Sequence, residues 1–449
     1  MSMSRRVLFS LLVSCLVCEC LAQMPMPART FGGAAADNAV AVALDSAGNV
    51  YLTGWTASFG AGGLDALITK YSPTGQFLWA KTWGGASDEY AWSTKVGPDG
   101  YLYVAGATLS FGAGWSDLFL LKLDISGNLI WGTTWGGGSY DGGYDLDFDQ
   151  NGNIYVAGES YSSSPCCAAV VLKFSSAGAL LQTLSYKGPA LYDSAYSIAV
   201  DSNQNVIVAG ISWDYSTYSS LHNSILLLKY DPNGNLLWQE NWSSPYPAQD
   251  ESWSYRGVTT DSSGNIYLAG RHANSCPTDN FSTCDFDALL VKVDPNGGFL
   301  WAKTSGSTGT YDTSGSVVVD PDGEILLAAI KDEFGTPHML VERYGSSGNV
   351  LSQVGWNSGT VQGFWAGMTV APSGDVYVVS SALNNSGSWA TTSSIFARPS
   401  NSFVVNSFGT VNASESLTPL TNATELQTGG VKNSGGGLGD FFLAHHGGK

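Results

Sequence analysis

The chain has 449 residues, of which 12% are charged and 44% hydrophobic, and its formal net charge is −18. Nucleic-acid binding depends on basic surface, so this balance speaks against it. The 55 glycines exceed the ordinary share of about 7% and point to many short strands joined by tight turns.

Residues 1–22 read as a secretory signal. Arg5-Arg6 precede the apolar run Val7 to Val17, and Ala22 closes the segment with a small residue. That run is too short for an ordinary membrane span, and no later segment is long and apolar enough to cross one. A secreted or periplasmic protein is expected. Leu12-Val13-Ser14-Cys15 offers lipid attachment at Cys15 as the alternative. The remainder, 23–449, reads as a single domain.

One unit then recurs. Ala91 to Val96 reads as one of its strands, followed by the turn Gly97-Pro98-Asp99-Gly100. Val50 to Gly54 is β-branched or aromatic and reads as a strand. Asp65 to Tyr71 is a short apolar strand, Ser72-Pro73-Thr74-Gly75 a turn, and Gln76 to Trp83 a further strand closed by Gly84-Gly85. Gly54, Gly106, Gly158 and Gly210 lie 52 residues apart. Four antiparallel strands per unit is the period of a β-propeller blade. The basic residue late in the third strand is Lys70, Lys122, Lys173, Lys229, Lys292, Arg343, Arg398 and His445, which predicts eight blades. Seven is the fallback if the polar region after Leu383 is not a repeat; blades over 364–449 are degenerate. Ala28 to Gly33 mimics Ala80 to Gly85, so an N-terminal strand should complete the last blade, with Thr30-Phe31 beside Phe442-Leu443.

These motifs resemble the bacterial secreted β-propeller repeat (SBBP-like) family, with units of the form D-x-x-G-N, then D-a-f-v-x-K, then G-x-x-x-W and G-G. The resemblance implies an all-β, secreted propeller and no particular reaction, because propellers host many functions. A weaker architectural similarity is to eight-bladed quinoprotein propellers. Tyr230-Asp231-Pro232-Asn233-Gly234-Asn235-Leu236-Leu237-Trp238 is one residue short of their docking motif.

Three constellations stand out. Trp79, Trp131, Trp238 and Trp301 follow the turn glycine and read as inter-blade packing. Asp45, Asp99, Asp149, Asp201, Asp261 and Asp322 mark the hairpin between the first two strands and read as structural turns, with calcium the lesser alternative. An acid series before each first strand, with interleaved aromatics, is the candidate ligand site: Asp88, Tyr90, Trp92, Asp141, Tyr144, Asp193, Tyr196, Asp250, Trp253, Tyr255, Asp312 and Trp365. These should ring one mouth of the central channel, where stacking faces suit a glycan or protein; the competing reading makes each acid a turn cap.

Outside the signal, Cys166, Cys167, Cys276 and Cys284 remain. Export favours oxidation, with Cys276 pairing with Cys284; Cys166 and Cys167 form an adjacent disulfide or stay as thiols. Motifs of metalloproteases, nucleophile elbows and phosphate loops are missing, so no catalytic residue is assigned and no cofactor is expected beyond calcium at the margin. The reading is a monomeric binding scaffold. A carbohydrate-active or metal- or quinone-assisted enzyme at the same mouth, or a purely structural surface protein, are its rivals.

Overall fold

A computed structural model of the chain describes residues 29–396, apart from 34, 164–166, 218–219, 243–256, 276–283, 307–308, 310, 334–335, 357–360 and 384–388. The expected signal over 1–22, Cys15 and the segment around Phe442 lie outside the described residues. No helix among the described residues is long and apolar enough to cross a membrane.

The described residues form 28 strands in seven antiparallel four-stranded sheets. The first blade shows the logic. Its strands are β2 (Asp37–Leu44), β3 (Val50–Thr56), β4 (Asp65–Tyr71) and β5 (Phe77–Trp83). Every residue of β3 and β4 is buried, because each middle strand is covered on both faces by neighbouring blades. Such strands read as continuous apolar runs, not as alternation. The outermost strand of the second blade, Leu129–Trp135, alternates half-buried and exposed residues. Gly48 turns the first hairpin at φ 78°, a left-handed conformation that glycine adopts at no steric cost.

The innermost strands are β2, β6 (Glu89–Val96), β10 (Asp141–Phe148), β14 (Tyr192–Val200), β18 (Val258–Thr260), β22 (Thr313–Val319) and β26 (Val361–Val370). Each touches the next, and β26 touches β2. The ring is therefore closed by seven blades, which corrects the expected eight in favour of the fallback. The closing device is the expected one with a different partner. The last sheet runs β1–β28–β27–β26, where β1 is Arg29–Thr30, β27 Val376–Leu383 and β28 Trp389–Phe396. Arg29 lies opposite Ser393, and Thr30 opposite Thr392. The seventh sheet has only three strands of its own, and β1 fills the open edge, removing an unpaired strand. The last two residues of the basic series, Arg398 and His445, lie outside the described residues. Phe31, Ala39, Val42, Ala371, Tyr377 and Val379 share one core cluster across the seam.

Candidate functional site

The antiparallel order gives the ring two unlike faces. One carries the hairpins between first and second and between third and fourth strands. The other carries the loops between second and third strands and the junctions from one blade to the next.

On the hairpin face a saturated latch recurs in the first six blades, while Ala371 holds its slot in the seventh. The Asp45 carboxylate accepts the N–H groups of Ala47 (3.0 Å) and Asn49 (2.9 Å), the Asn49 amide (2.7 Å) and the Tyr51 hydroxyl (3.0 Å). Lys70 Nζ lies 3.7 Å from it and donates to the Ile125 carbonyl of the next blade at 2.8 Å. Lys122 joins Asp99 (2.7 Å) to the Ser176 carbonyl (3.1 Å), and Lys229 joins Asp201 (3.2 Å) to that of Pro295 (3.1 Å). Burial alone would push the Asp45 carboxyl up, but the Asn49 bonds, Tyr51 and Lys70 outweigh it and hold it below the ordinary range. The expected tryptophans complete the latch. Trp131 Nε1 donates to Ser176 O (3.3 Å), Trp238 to Pro295 O (3.3 Å) and Trp301 to Ser346 O (3.4 Å). One position of this series needs correction, and another serves from an offset site. In the sixth blade the latch acid is Asp320, bonded to Asp322 N–H (2.9 Å) and Arg343 (2.7 Å), not Asp322. In the second blade Gly97 occupies the slot, and Asp99, two residues on, supplies the carboxylate. Lysine ammonium provides the positive charge that a calcium loop would take from a metal. Among the described residues no group of three or more His, Cys, Asp or Glu side chains is arranged to hold a metal ion.

On the junction face the acids turn inward. Asp37 accepts Gly33 N–H (2.6 Å), Ser58 Oγ (2.9 Å) and Thr56 Oγ1. Asp141 accepts Gly137 N–H (2.8 Å) and Ser160 Oγ, and Asp193 accepts Gly188 N–H (2.8 Å), Lys187 Nζ (3.2 Å) and Ser212 Oγ. Asp312 is wholly buried. In the second blade the slot belongs to Glu89, which accepts Gly85 N–H (2.7 Å) and Thr108 Oγ1 (2.8 Å). Asp88, the expected member, instead accepts Leu64 N–H (2.8 Å) and the Tyr90 hydroxyl (3.2 Å). These carboxylates serve as blade clamps, so the turn-cap reading holds for them. Burial pushes Asp37 up, and burial with the nearby charges of Glu89 and Asp88 pushes Asp65 up to about 6.

The aromatics behave differently, and a backbone irregularity explains why. Pairing of β2 skips from Ala39 to Ala41, of β6 from Ala91 to Ser93, of β10 from Gly143 to Asp145 and of β14 from Ala195 to Ser197. Each is a β-bulge, which re-aims the extra side chain. The extra residues are Val40, Trp92, Tyr144 and Tyr196. Trp92 meets Trp55 (ring centroids 4.6 Å) and Tyr90 (5.8 Å, stacked), and reaches Tyr144 at 6.3 Å. Tyr144 meets Tyr196 at 4.9 Å. The Tyr140 and Tyr144 hydroxyls are 3.3 Å apart, and Tyr161 bridges Tyr140 (5.8 Å) to Tyr192 (5.7 Å). A continuous aromatic arc thus crosses the first four blades, and Tyr90, Trp92, Tyr140, Tyr161, Tyr192 and Tyr196 in it are half-buried. Behind it Glu159, a lone acid after a repeat glycine, receives the Tyr144 and Ser194 hydroxyls, and burial pushes its carboxyl up. Below the bulges Asp145 ties three innermost strands together through Ser93 (2.8 Å) and Ser197 (3.1 Å). The sequence reading missed Trp55, Tyr161, Glu89, Asp145 and Glu159; the position after the repeat glycine, which holds Trp55 and Glu159, was the available signal. Asp250, Trp253, Tyr255 and the Trp365 side chain lie outside the described residues. Cys167 and Cys284 are each disulfide-bonded, while Cys166 and Cys276 lie outside the described residues.

Fold and latches together define a closed β-propeller with a continuous aromatic arc on its junction face. The SBBP β-propeller repeat family matches residues 28–59, so the chain carries that repeat over the closing strand and the first two strands of the first blade. The regulatory protein FlaEY of Caulobacter vibrioides is 29% identical over 114 residues, a match covering 22% of this chain and 12% of that protein. Among solved structures, a streptogramin B lyase is 13% identical with TM-score 0.46, covering 83% of this chain and 99% of that one. The polysaccharide lyase Uly1 is 11% identical with TM-score 0.47, covering 81% and 91%. The WD40 domain of Neurospora crassa Pan2 is 11% identical with TM-score 0.47, covering 79% and 89%. These likenesses are of fold alone.

Proposed function

We propose that this propeller is an exported binding scaffold that recognises a glycan or protein on its junction face, at the aromatic arc around Tyr90, Trp92, Tyr144 and Tyr196. The observation that carries the reading is the bulge repeated at one register in successive innermost strands. Each bulge forgoes a regular strand pair, and in three successive blades it gathers the extra ring into one cluster, in which Trp92 and Tyr196 are half-buried and Tyr144 is buried. Bulges are enriched beside functional sites, and aromatic faces with hydroxyl rims suit ligands that are apolar on one side and polar at the edge. Export follows from the signal-like residues 1–22, and the oxidised Cys167 and Cys284 agree with it; Cys166 and Cys276 are the partners proposed for them.

The test is retention of the mature chain on immobilised polysaccharides and on extracellular protein extracts, beside Trp92→Leu. Saturable retention by the native chain, lost or weakened at least tenfold in the variant, supports the scaffold. Release of new reducing ends or unsaturated sugars would replace it with an enzyme. Absence of saturable binding to anything tested would leave a structural surface protein.

A further inference from the structure

We infer that Trp115 is an aromatic finger that extends this site and that the ligand is a chain of neutral sugars; the inference rests on the binding reading above and names its substrate class. Trp115 is 84% exposed, the highest value among the exposed large hydrophobic side chains described. Its loop also exists without it. In the first blade the loop runs Ser58-Phe59-Gly60-Ala61-Gly62-Gly63-Leu64-Asp65, and in the second Ser110-Phe111-Gly112-Ala113-Gly114-Trp115-Ser116-Asp117. Gly60 and Gly112 both sit at φ 109°, and both loops are held by the acid that opens the next strand. Asp65 accepts Ala61 N–H at 3.0 Å, and Asp117 accepts Gly114 N–H at 3.0 Å. Glycine thus suffices at the tryptophan position for this loop to form, and the indole is surplus to folding.

The backbone that carries the finger is fixed in place. Trp115 N–H donates to Ser139 O at 3.1 Å, and Ser116 bridges to Tyr140. Tyr140 belongs to the arc, so the backbone that carries Trp115 runs beside the Tyr140 strand, on the same face as the bulge cluster. A ring held on a rigid loop loses little freedom on binding.

Charge decides the occupant. Of the acids near this surface, Glu89, Asp117, Asp141 and Asp193 are buried and bonded within the protein, half-buried Asp88 is bonded to Leu64 N–H and the Tyr90 hydroxyl, and Lys187 is spent on Asp193. With a net charge of −18 the protein repels polyanions. What the surface offers is ring faces and tyrosine hydroxyls. Those match the C–H faces and hydroxyl edges of uncharged pyranoses.

Affinity electrophoresis of the mature chain through soluble barley β-glucan, dextran and galactomannan, with alginate and polylysine as charged probes, tests this. Trp115→Gly copies the first blade, and Trp115→Phe keeps a ring. Retardation by at least one neutral polymer, about tenfold weaker in Trp115→Gly, largely kept in Trp115→Phe, with unchanged thermal unfolding, is the expected result. Unchanged retardation in Trp115→Gly beside a loss in Trp92→Leu overturns the finger and leaves the binding site standing. Retardation only by alginate or polylysine overturns the neutral-sugar assignment. No retardation by any polymer overturns this inference, and the scaffold reading then stands or falls on the protein-extract arm of its own test.

Discussion

The hairpin face and the junction face are built from the same repeat, yet their carboxylates are held in opposite ways. On the hairpin face Asp45 and Asp149 meet amides, an asparagine and a lysine, and lie below their ordinary range despite burial. On the junction face Asp37 and Asp65 are buried at blade seams, Asp37 clamped by hydroxyls and backbone and Asp65 beside two further acids, and both lie above it. The first face repeats with little change and is chemically saturated. The second keeps its clamps but varies the side chains around them, from Val40 to Trp92, Tyr144 and Tyr196, and from Gly63 to Trp115. Repetition marks what holds the ring; departure from repetition marks where the ring meets something else.

The largest effect should come from breaking a latch. Asp201 and Lys229 are 3.2 Å apart with side chains 1% and 5% exposed. Removing one partner of a buried pair costs about 3–5 kcal/mol, so Asp201→Ala should lower stability by that order in chemical denaturation. A loss below about 1 kcal/mol would show that the hairpin face is not what fastens the blades.

A smaller difference is expected between two turn glycines. Gly100 (φ 78°) has nothing within 4 Å of an added Cβ, whereas one at Gly178 (φ 85°) would meet the Trp131 ring at 3.1 Å. Left-handed strain alone costs about 1–2 kcal/mol, so Gly100→Ala should show that much and Gly178→Ala roughly 1 kcal/mol more. Equal losses would mean the tryptophan does not seat on the neighbouring turn.

Acidity should separate the faces. Asp65 is raised to about 6, so the folded state holds its proton more tightly than the unfolded chain does. Its contribution is complete below about pH 4 and is lost as pH rises toward 6. Asp45 and Asp149 act inversely: their contribution is present above about pH 4 and is lost as pH falls through their lowered values. Stability should therefore peak at about pH 4 and fall toward pH 6, and Asp65→Asn should flatten that fall by roughly 1–2 kcal/mol after allowing for solvent screening. A midpoint temperature that rises steadily from pH 4 to 7 in the native chain would contradict the junction-face assignment.

The smallest change should be Trp115→Gly, within about 0.5 kcal/mol of native stability, since the first blade already carries glycine there. A larger loss would make the indole a structural part of its loop.

Much of this was legible in the chain itself. The strands, the turn glycines and the tryptophan slot are local patterns and appear where the sequence places them, while the N-terminal closing strand forms with a different partner, β28 in place of the segment around Phe442. The candidate aromatics Tyr90, Trp92, Tyr144 and Tyr196 also come together. What failed was assignment across one or two residues. Asp88 stood in for Glu89, and Asp322 for Asp320, because hairpin length shifts a carboxylate without changing the local composition. Blade number failed for a longer-range reason, since the partner of Thr30 in β1 is Thr392, 362 residues away.

The amino-acid order alone determined the unit: which residues form strands, where they turn and which lysine and tryptophan recur, because each depends on neighbours within one blade. Only the tertiary structure decided how many units close the ring, that the junction acids face inward, and that bulges aim Trp92, Tyr144 and Tyr196 into one arc. Those outcomes depend on contacts between blades, which short-range patterns do not encode.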